Sequence, residues 1–283
     1  MLLLFLPHGQ TGRQTMRHDL TSRLIMSQQH TTNMTTDFSW LSRTELLIGK
    51  QALQTLAQSH VMVVGLGGVG SYAAEFIARS GVGKMTIIDG DVVDPTNRNR
   101  QLPALATNHG ESKAAIMAAR LTAINPELEL QVIKSFVNPE MVEEQLQQPP
   151  AYIIDAIDSI TPKLTFMVNA YHKKIPMVSS MGAGGKFDPT QLQVADISKT
   201  YNCVFAQQVR KVLKRQHDIR RGIKVVFSPE QPLKESLIMT DGSNFKKSAY
   251  GTISYLPAVF GAVCASVVIR DLIVPGSSSF RPI

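Results

Sequence analysis

The segment VMVVGLGGVGSYAAEFIARSGVGKMTIIDGD, Val61 to Asp91, reads as a strand, a glycine-rich turn, a helix and a second strand that ends in an aspartate. Val61 to Gly65 is a short apolar run, SYAAEFIARSG has the apolar spacing of a helix with Gly81 as its C-cap, and KMTIID (Lys84 to Asp89) is apolar again. Gly65, Gly67 and Gly70 satisfy G-x-G-x-x-G, a spacing that lets backbone amides and a helix N-terminus approach phosphate oxygens closely. Asp89 stands 24 residues after Gly65, where a carboxylate accepts hydrogen bonds from ribose hydroxyls. Nicotinamide enzymes and adenylating enzymes both fit this segment.

Outward from that unit the alternation continues. ESKAAIMAARLTAIN predicts a helix from about Glu111 to Ile124 ended by Asn125 and Pro126, followed by the strand LELQVI and a helix near Pro139 to Gln147. AYIIDAI (Ala151 to Ile157) reads as a buried strand, KLTFMVNAYHKK as a helix and IPMVSSM as a strand. After Met181 the pattern changes. GAGGKFDPTQLQVADIS suggests a glycine turn and a hairpin or bend between short strands, FAQQVRKVLKRQHDIRRGIK a strongly basic helix running into a loop, IKVVFS a strand and ISYLPAVFGAVCASVVIRDLIV an apolar helix. The expected fold is α/β: a doubly wound, mostly parallel Rossmann-like sheet with an antiparallel C-terminal extension.

The ends of the chain are less informative. Residues 1–41, rich in Gln, Thr and Met, carry no sustained apolar period and are expected to be disordered or to precede the natural start. The apolar run Met1 to Leu6 has nothing basic ahead of it, so export is not expected. The domain is expected over 42–274, with a basic insertion at about 198–224 and a tail at 275–283. The unbroken apolar stretch from Leu256 to Ile269 is 14 residues long, below the roughly 20 that span a bilayer, so a buried helix or dimer contact is expected rather than a membrane association. With 283 residues, 43% of them hydrophobic, the chain can bury a sizeable core. Two cysteines, Cys203 and Cys264, make no C-x-x-C pair, which argues against a structural zinc clip and for a reducing cytoplasm.

Residues downstream of the glycine turn discriminate between the two chemistries. NRNRQL (Asn97 to Leu102) follows the ribose aspartate and Lys113 opens the next helix, so Arg100 and Lys113 are two cations that can converge on the nucleotide. Hydride transfer does not need them. A triphosphate does, because loss of pyrophosphate builds negative charge that arginine, lysine and a metal ion stabilise. Asp158 lies past the carboxyl end of AYIIDAI, where open α/β sheets place ligand groups, and is the candidate magnesium ligand. Each has a plainer reading: Arg100 as a surface arginine, Lys113 as a solvated helix residue, Asp158 as the N-cap of the following helix.

Together the residues resemble the ubiquitin-activating, ThiF-type family of adenylating enzymes. The resemblance rests on GLGGVG, Asp89 and Asp91, NRNRQ with Asn97, Arg100 and Gln101, a lysine 13 residues past that arginine (Lys113), and Asp158, and it extends over Ser42 to Val274. It implies Gly68 and its neighbours against the phosphates, Asp89 on the ribose, Asn97, Arg100 and Lys113 on the triphosphate, and Asp158 on magnesium. Members of the family are usually homodimers in which an N-terminal arginine reaches the partner's ATP, and Arg43 is the candidate. ATP and Mg2+ are thus the expected cofactors, with a monovalent cation as a further candidate.

The segments DAIDSITPK, GAGGKFDPTQLQVADISKT and GTISYLPAVFG are similar to the branch of that family that works on tRNA. That likeness implies ATP-dependent cyclisation of the threonylcarbamoyl group on the adenosine beside the anticodon, without a carrier thiol. The alternatives are activation of a ubiquitin-like sulfur-carrier protein, with a sulfur-transfer partner, and noncatalytic binding of ATP or RNA. Between Arg210 and Lys224 seven basic residues stand against one acid, where the whole chain is +7. Arg210, Lys211, Lys214, Arg215, Arg220 and Arg221 are the candidate contacts to a tRNA backbone, a solvated basic helix face being the alternative.

Overall fold

A computed structural model describes residues 39–239 and 248–274. Of the segment 1–41 set aside from the domain above, residues 1–38 lie outside the described residues, as does the tail at 275–283, whereas residues 39–41 are described. The described chain opens with a 3-10 turn, Ser39–Leu41, whose Leu41 is buried. Two short helices follow, α1 (Ser42–Ile48) and α2 (Lys50–Ala57), before β1 (His60–Val64).

From β1 the alternation matches the sequence reading. The elements are α3 (Gly70–Arg79), β2 (Lys84–Ile88), α4 (Lys113–Ile124), β3 (Glu129–Ile133), α5 (Pro139–Gln145), β4 (Tyr152–Asp155), α6 (Ile160–His172) and β5 (Met177–Ser180). The later part holds β6 (Gln193–Asp196), α7 (Val204–His217), β7 (Lys224–Phe227), the pair β8 (Leu237–Met239) and β9 (Ser248–Tyr250), and α8 (Tyr255–Ile273). The sheet order is β3-β2-β1-β4-β5-β7-β6, parallel throughout except that β6 runs antiparallel to β7. The antiparallel extension is therefore one edge strand plus the separate β8–β9 hairpin, which the sequence reading did not place.

Side chains alternate across a strand, so each strand feeds two cores. Val61, Val63, Met85 and Ile87 pack with α3, α4 and α8 on one face. Met62, Val64, Ile88 and Ile153 pack with α5, α6 and α7 on the other. Covering both faces explains why these strands read as continuous apolar runs, each fully buried aliphatic side chain contributing about 1.5–3 kcal/mol.

Helix α8 falls within the segment ISYLPAVFGAVCASVVIRDLIV read as a helix; at 19 residues it exceeds the 14-residue unbroken apolar stretch, and by length and composition alone it could cross a membrane. Its placement is that of a core helix. Leu256, Phe260, Cys264 and Val268 are buried in the first core, and Gly261 lies so close to α3 that an added Cβ would stand 2.4 Å from the Val69 carbonyl oxygen. Pro257 of the same helix presses on the glycine turn at Gly68.

Candidate active site

Strand order reverses between β1 and β4, and a cleft of about 430 Å³ opens there at the carboxyl ends of β1 to β4. Gly65, Gly67, Asp89, Asp91, Asn97, Arg100, Gln101, Lys113 and Asp158 all line it. Residues up to 93 positions apart in the sequence thus meet as expected.

The glycines play different parts. Gly65 has φ +86°, and a Cβ there would stand 2.9 Å from the Ala156 carbonyl oxygen. At Gly67 a Cβ would meet only the Gln101 amide, at 3.8 Å, so the missing side chain leaves open the room a phosphate needs. Gly68 and Gly70 are not part of the lining, which refines the phosphate role expected of them. A Cβ on Gly68 would fall 2.9 Å from Pro257, and one on Gly70 would fall 1.7 Å from the Gly65 carbonyl oxygen. These two let the turn close and the helices pack.

Asp89 ties the turn to β2. Its Oδ2 accepts the Leu66 amide at 2.6 Å and its Oδ1 the Asp91 amide at 2.7 Å. Burial pushes the Asp89 carboxyl above the usual carboxylate range, against the opposing pull of the Leu66 amide and the Lys113 charge. Each oxygen keeps a second lone pair with which to meet a ribose hydroxyl. Lys113 is 4% exposed and donates to Asp91 Oδ2 at 2.9 Å, so it is a buried, oriented cation and not a solvated helix residue.

Arg100 is half-buried. Its Nη1 donates to the Thr96 carbonyl at 3.1 Å and to Asn99 Oδ1 at 2.8 Å, which fixes the guanidinium in the turn that carries it. Burial lowers its pKa, while Asp158 and Asp94 act in the opposite direction. Asn97 is committed to the same turn, its Oδ1 accepting the Asp94 amide at 3.3 Å, so its expected triphosphate contact is joined by a structural one. Among the described residues Gln101 Oε1 is the buried side-chain oxygen left without a partner, and it borders the cleft beside Gly67. Asp158 follows β4 on the turn that leads into α6, and the N-cap is Ser159, so Asp158 is not the helix cap.

Residues 41–281 match the ThiF family. The chain belongs to the ThiF family. It is 42% identical over 239 residues to the tRNA threonylcarbamoyladenosine dehydratase of Bacillus subtilis (strain 168), covering 82% of this chain and 94% of that relative. It is 38% identical over 253 residues to the protein of the same name from Escherichia coli (strain K12), covering 83% and 94%. Among solved structures, E. coli tRNA N6-threonylcarbamoyladenosine dehydratase in complex with ATP is similar with a TM-score of 0.76 at 38% identity, covering 83% of this chain and 94% of that one.

Several features of this ThiF-family site were not found in the sequence. Phe136, half-exposed after β3, forms one wall of the cleft, and Ile157 and Pro162 form another part of the lining. No spacing rule marks an aromatic in a loop; only its position beside Gly90, where a Cβ would meet the Phe136 amide nitrogen at 2.6 Å, reveals it. Arg43 is exposed on α1 and does not line the cleft of its own chain.

The basic stretch divides. On α7, Ala206, Val209 and Leu213 face the core, while Lys211, Lys214 and Arg215 are exposed, as is Arg221 beyond the helix. Arg210 departs from the expectation of a free phosphate contact: it is half-buried and its Nη1 donates to the Thr200 carbonyl at 2.7 Å and to the Thr200 hydroxyl. Arg220 pairs with Asp218 at 3.1 Å, an exposed contact of little energetic weight. Both cysteines are buried, and burial pushes the Cys264 thiol up to about 12.

Proposed function

We propose that this protein is an ATP-dependent tRNA-modifying cyclase that dehydrates threonylcarbamoyladenosine beside the anticodon. The observation that carries the reading is the pairing of 38–42% identity to dehydratases, over 94% of their length, with a cleft lined by Gly65, Gly67, Asp89, Asp91, Asn97, Arg100, Gln101, Lys113 and Asp158. The substrate carboxylate attacks the α-phosphorus of ATP, pyrophosphate leaves, and a nucleophile of the same side chain displaces AMP as the ring closes. One water is lost from the nucleoside, its oxygen leaving on AMP.

The residues divide the work by position. Gly67 gives the phosphates room, Gly65 lets the turn close against Ala156, Asp89 holds the ribose, and Phe136 flanks the base. Arg100 and Lys113 sit where charge grows on the departing pyrophosphate, each already oriented by a hydrogen bond, so little reorganisation is required at the moment of reaction. The donor set suits a magnesium ion held by Asp158 and phosphate oxygens, since a hard cation takes few carboxylates and keeps substrate phosphates as ligands. When bound, that ion would neutralise charge on the triphosphate. The buried cysteines fit a direct ring closure without a thioester. Lys211, Lys214, Arg215 and Arg221 are the contacts to the tRNA backbone, and in a homodimer Arg43 reaches toward the partner's nucleotide.

The test is incubation with ATP, Mg2+ and tRNA carrying threonylcarbamoyladenosine, followed by mass spectrometry of the nucleosides. Loss of one water, matched by AMP and pyrophosphate, supports the reading. Pyrophosphate release only with a small carrier protein ending in Gly-Gly would replace it.

A further inference from the structure

Behind the cleft lies an enclosed ionic cluster that the nucleotide chemistry leaves unused. Lys163 Nζ and Asp155 Oδ2 stand 2.7 Å apart, both side chains at 0% exposure. Asp155 Oδ2 also accepts the Ser179 hydroxyl at 2.6 Å, and Asp155 Oδ1 accepts the Ile157 amide at 3.0 Å. The Lys163 ammonium lies 5.7 Å from the centre of the Phe205 ring, in the first turn of α7. Taking two charges out of water is costly, and an apolar pair of similar volume often serves stability as well or better, so stability is a weak reason for this pair. Its geometric consequence is specific. The Ile157 amide belongs to the turn that closes against Gly65 on one side and delivers Asp158 to the cleft on the other.

We propose that the buried Asp155–Lys163 pair is a positioning element of the nucleotide site: it sets the turn that carries Asp158, and through Phe205 it ties the cleft floor to the basic helix α7. The inference rests on the nucleotide reading above. Lys163 and Asp155 do not line the cleft, so they act through Ile157 and Asp158. Outer-shell partners that orient a metal ligand typically change metal affinity or activity by about 10- to 100-fold, the scale expected here for ATP bound with Mg2+.

The experiment is calorimetric titration of ATP with Mg2+ into the full chain, with melting temperature measured alongside. The double variant Asp155→Leu with Lys163→Met leaves no buried charge and no acceptor for the Ile157 amide. Its expected behaviour is a folded protein whose melting falls by no more than the unpaired Ile157 amide and Ser179 hydroxyl account for, with affinity lowered about 10- to 100-fold, and with Asp158→Asn adding little further loss because the two act on one element. Asp155→Asn with Lys163→Met keeps a carbonyl acceptor for that amide and should recover most of the affinity. A folded Asp155→Leu, Lys163→Met protein with wild-type affinity overturns the proposal. Should that variant fail to fold, Ser179→Ala, which removes one anchor of the Asp155 carboxylate, takes its place: a severalfold weaker affinity at unchanged melting supports the proposal and an unchanged affinity overturns it. Absence of ATP binding by the wild type would instead refute the nucleotide reading itself.

Discussion

The nucleotide cleft and the outer face of α7 both present cations, but they are built in opposite ways. Lys113 is buried and held by Asp91, and Arg100 is half-buried and held by its own turn, so both charges are oriented in a site partly shielded from water. Lys211, Lys214 and Arg215 extend from an exposed helix face into solvent. The first arrangement acts on charge at one point and resists screening. The second acts on a charged surface, sums over several residues and weakens with salt. Substitutions in the two regions should therefore differ in size and in their response to ionic strength.

The largest effects belong to the turn itself. Gly70→Ala places a Cβ 1.7 Å from the Gly65 carbonyl oxygen, a clash with backbone that no rotamer relieves. It is expected to abolish ATP binding and to lower the melting temperature, overpacking of this kind costing about 1–3 kcal/mol or more. Gly67→Ala meets only the Gln101 amide, so it should melt near wild type while weakening ATP binding. Equal melting of the two variants, or ATP affinity unchanged in Gly67→Ala, would break the distinction between a glycine that closes the turn and one that leaves room for phosphate.

Next comes the buried cation. Lys113→Ala removes a preorganised donor and leaves Asp91 unpaired beside Asp89. Adenylation, followed by pyrophosphate release at saturating ATP, should slow by roughly 10²–10³, the loss of about 2.7–4 kcal/mol that one such donor typically supplies. A rate within a factor of two of wild type would remove Lys113 from the chemistry and leave it only its ion pair.

Much of the cleft is legible in the sequence because its residues sit at strand ends and at fixed spacings from the glycines, where topology alone brings them together. What the sequence does not disclose depends on side-chain direction. Arg210 falls in a basic run, yet on α7 its guanidinium turns back to Thr200. Lys163 reads as a helix lysine and is fully buried on Asp155. Phe136 sits in a loop with no periodicity.

On the α7 face the expected effects are smaller and salt-dependent. Joint neutralisation of Lys211, Lys214 and Arg215 should weaken tRNA binding and reduce the slope of log affinity against log salt by about 0.7 to 0.9 for each phosphate no longer neutralised. ATP affinity should stay at the wild-type value. Arg210→Ala should lower the slope less than loss of any one of these three, since that residue is half-buried and its Nη1 is engaged by Thr200. Filter binding over several salt concentrations decides it: parallel lines for the triple variant and the wild type would mean that the face does not touch the RNA backbone.

The smallest effect is expected from the cysteines. Cys203→Ser with Cys264→Ala removes both thiols of the chain. Cys264 lies on the core side of α8, where burial pushes its thiol up to about 12 and so holds it neutral and unreactive. Cys203 is buried at the start of α7 and does not line the cleft. A nucleophile must reach the activated carboxylate, and neither sulfur is placed to do so, whereas ring closure needs only a group already attached to the substrate. The double variant should lose about 1 kcal/mol of stability, the common cost of a core substitution, and cyclise at close to the wild-type rate. Loss of cyclisation in a protein that still folds and still releases pyrophosphate would point to a thioester between adenylation and ring closure, and would favour the sulfur-carrier alternative.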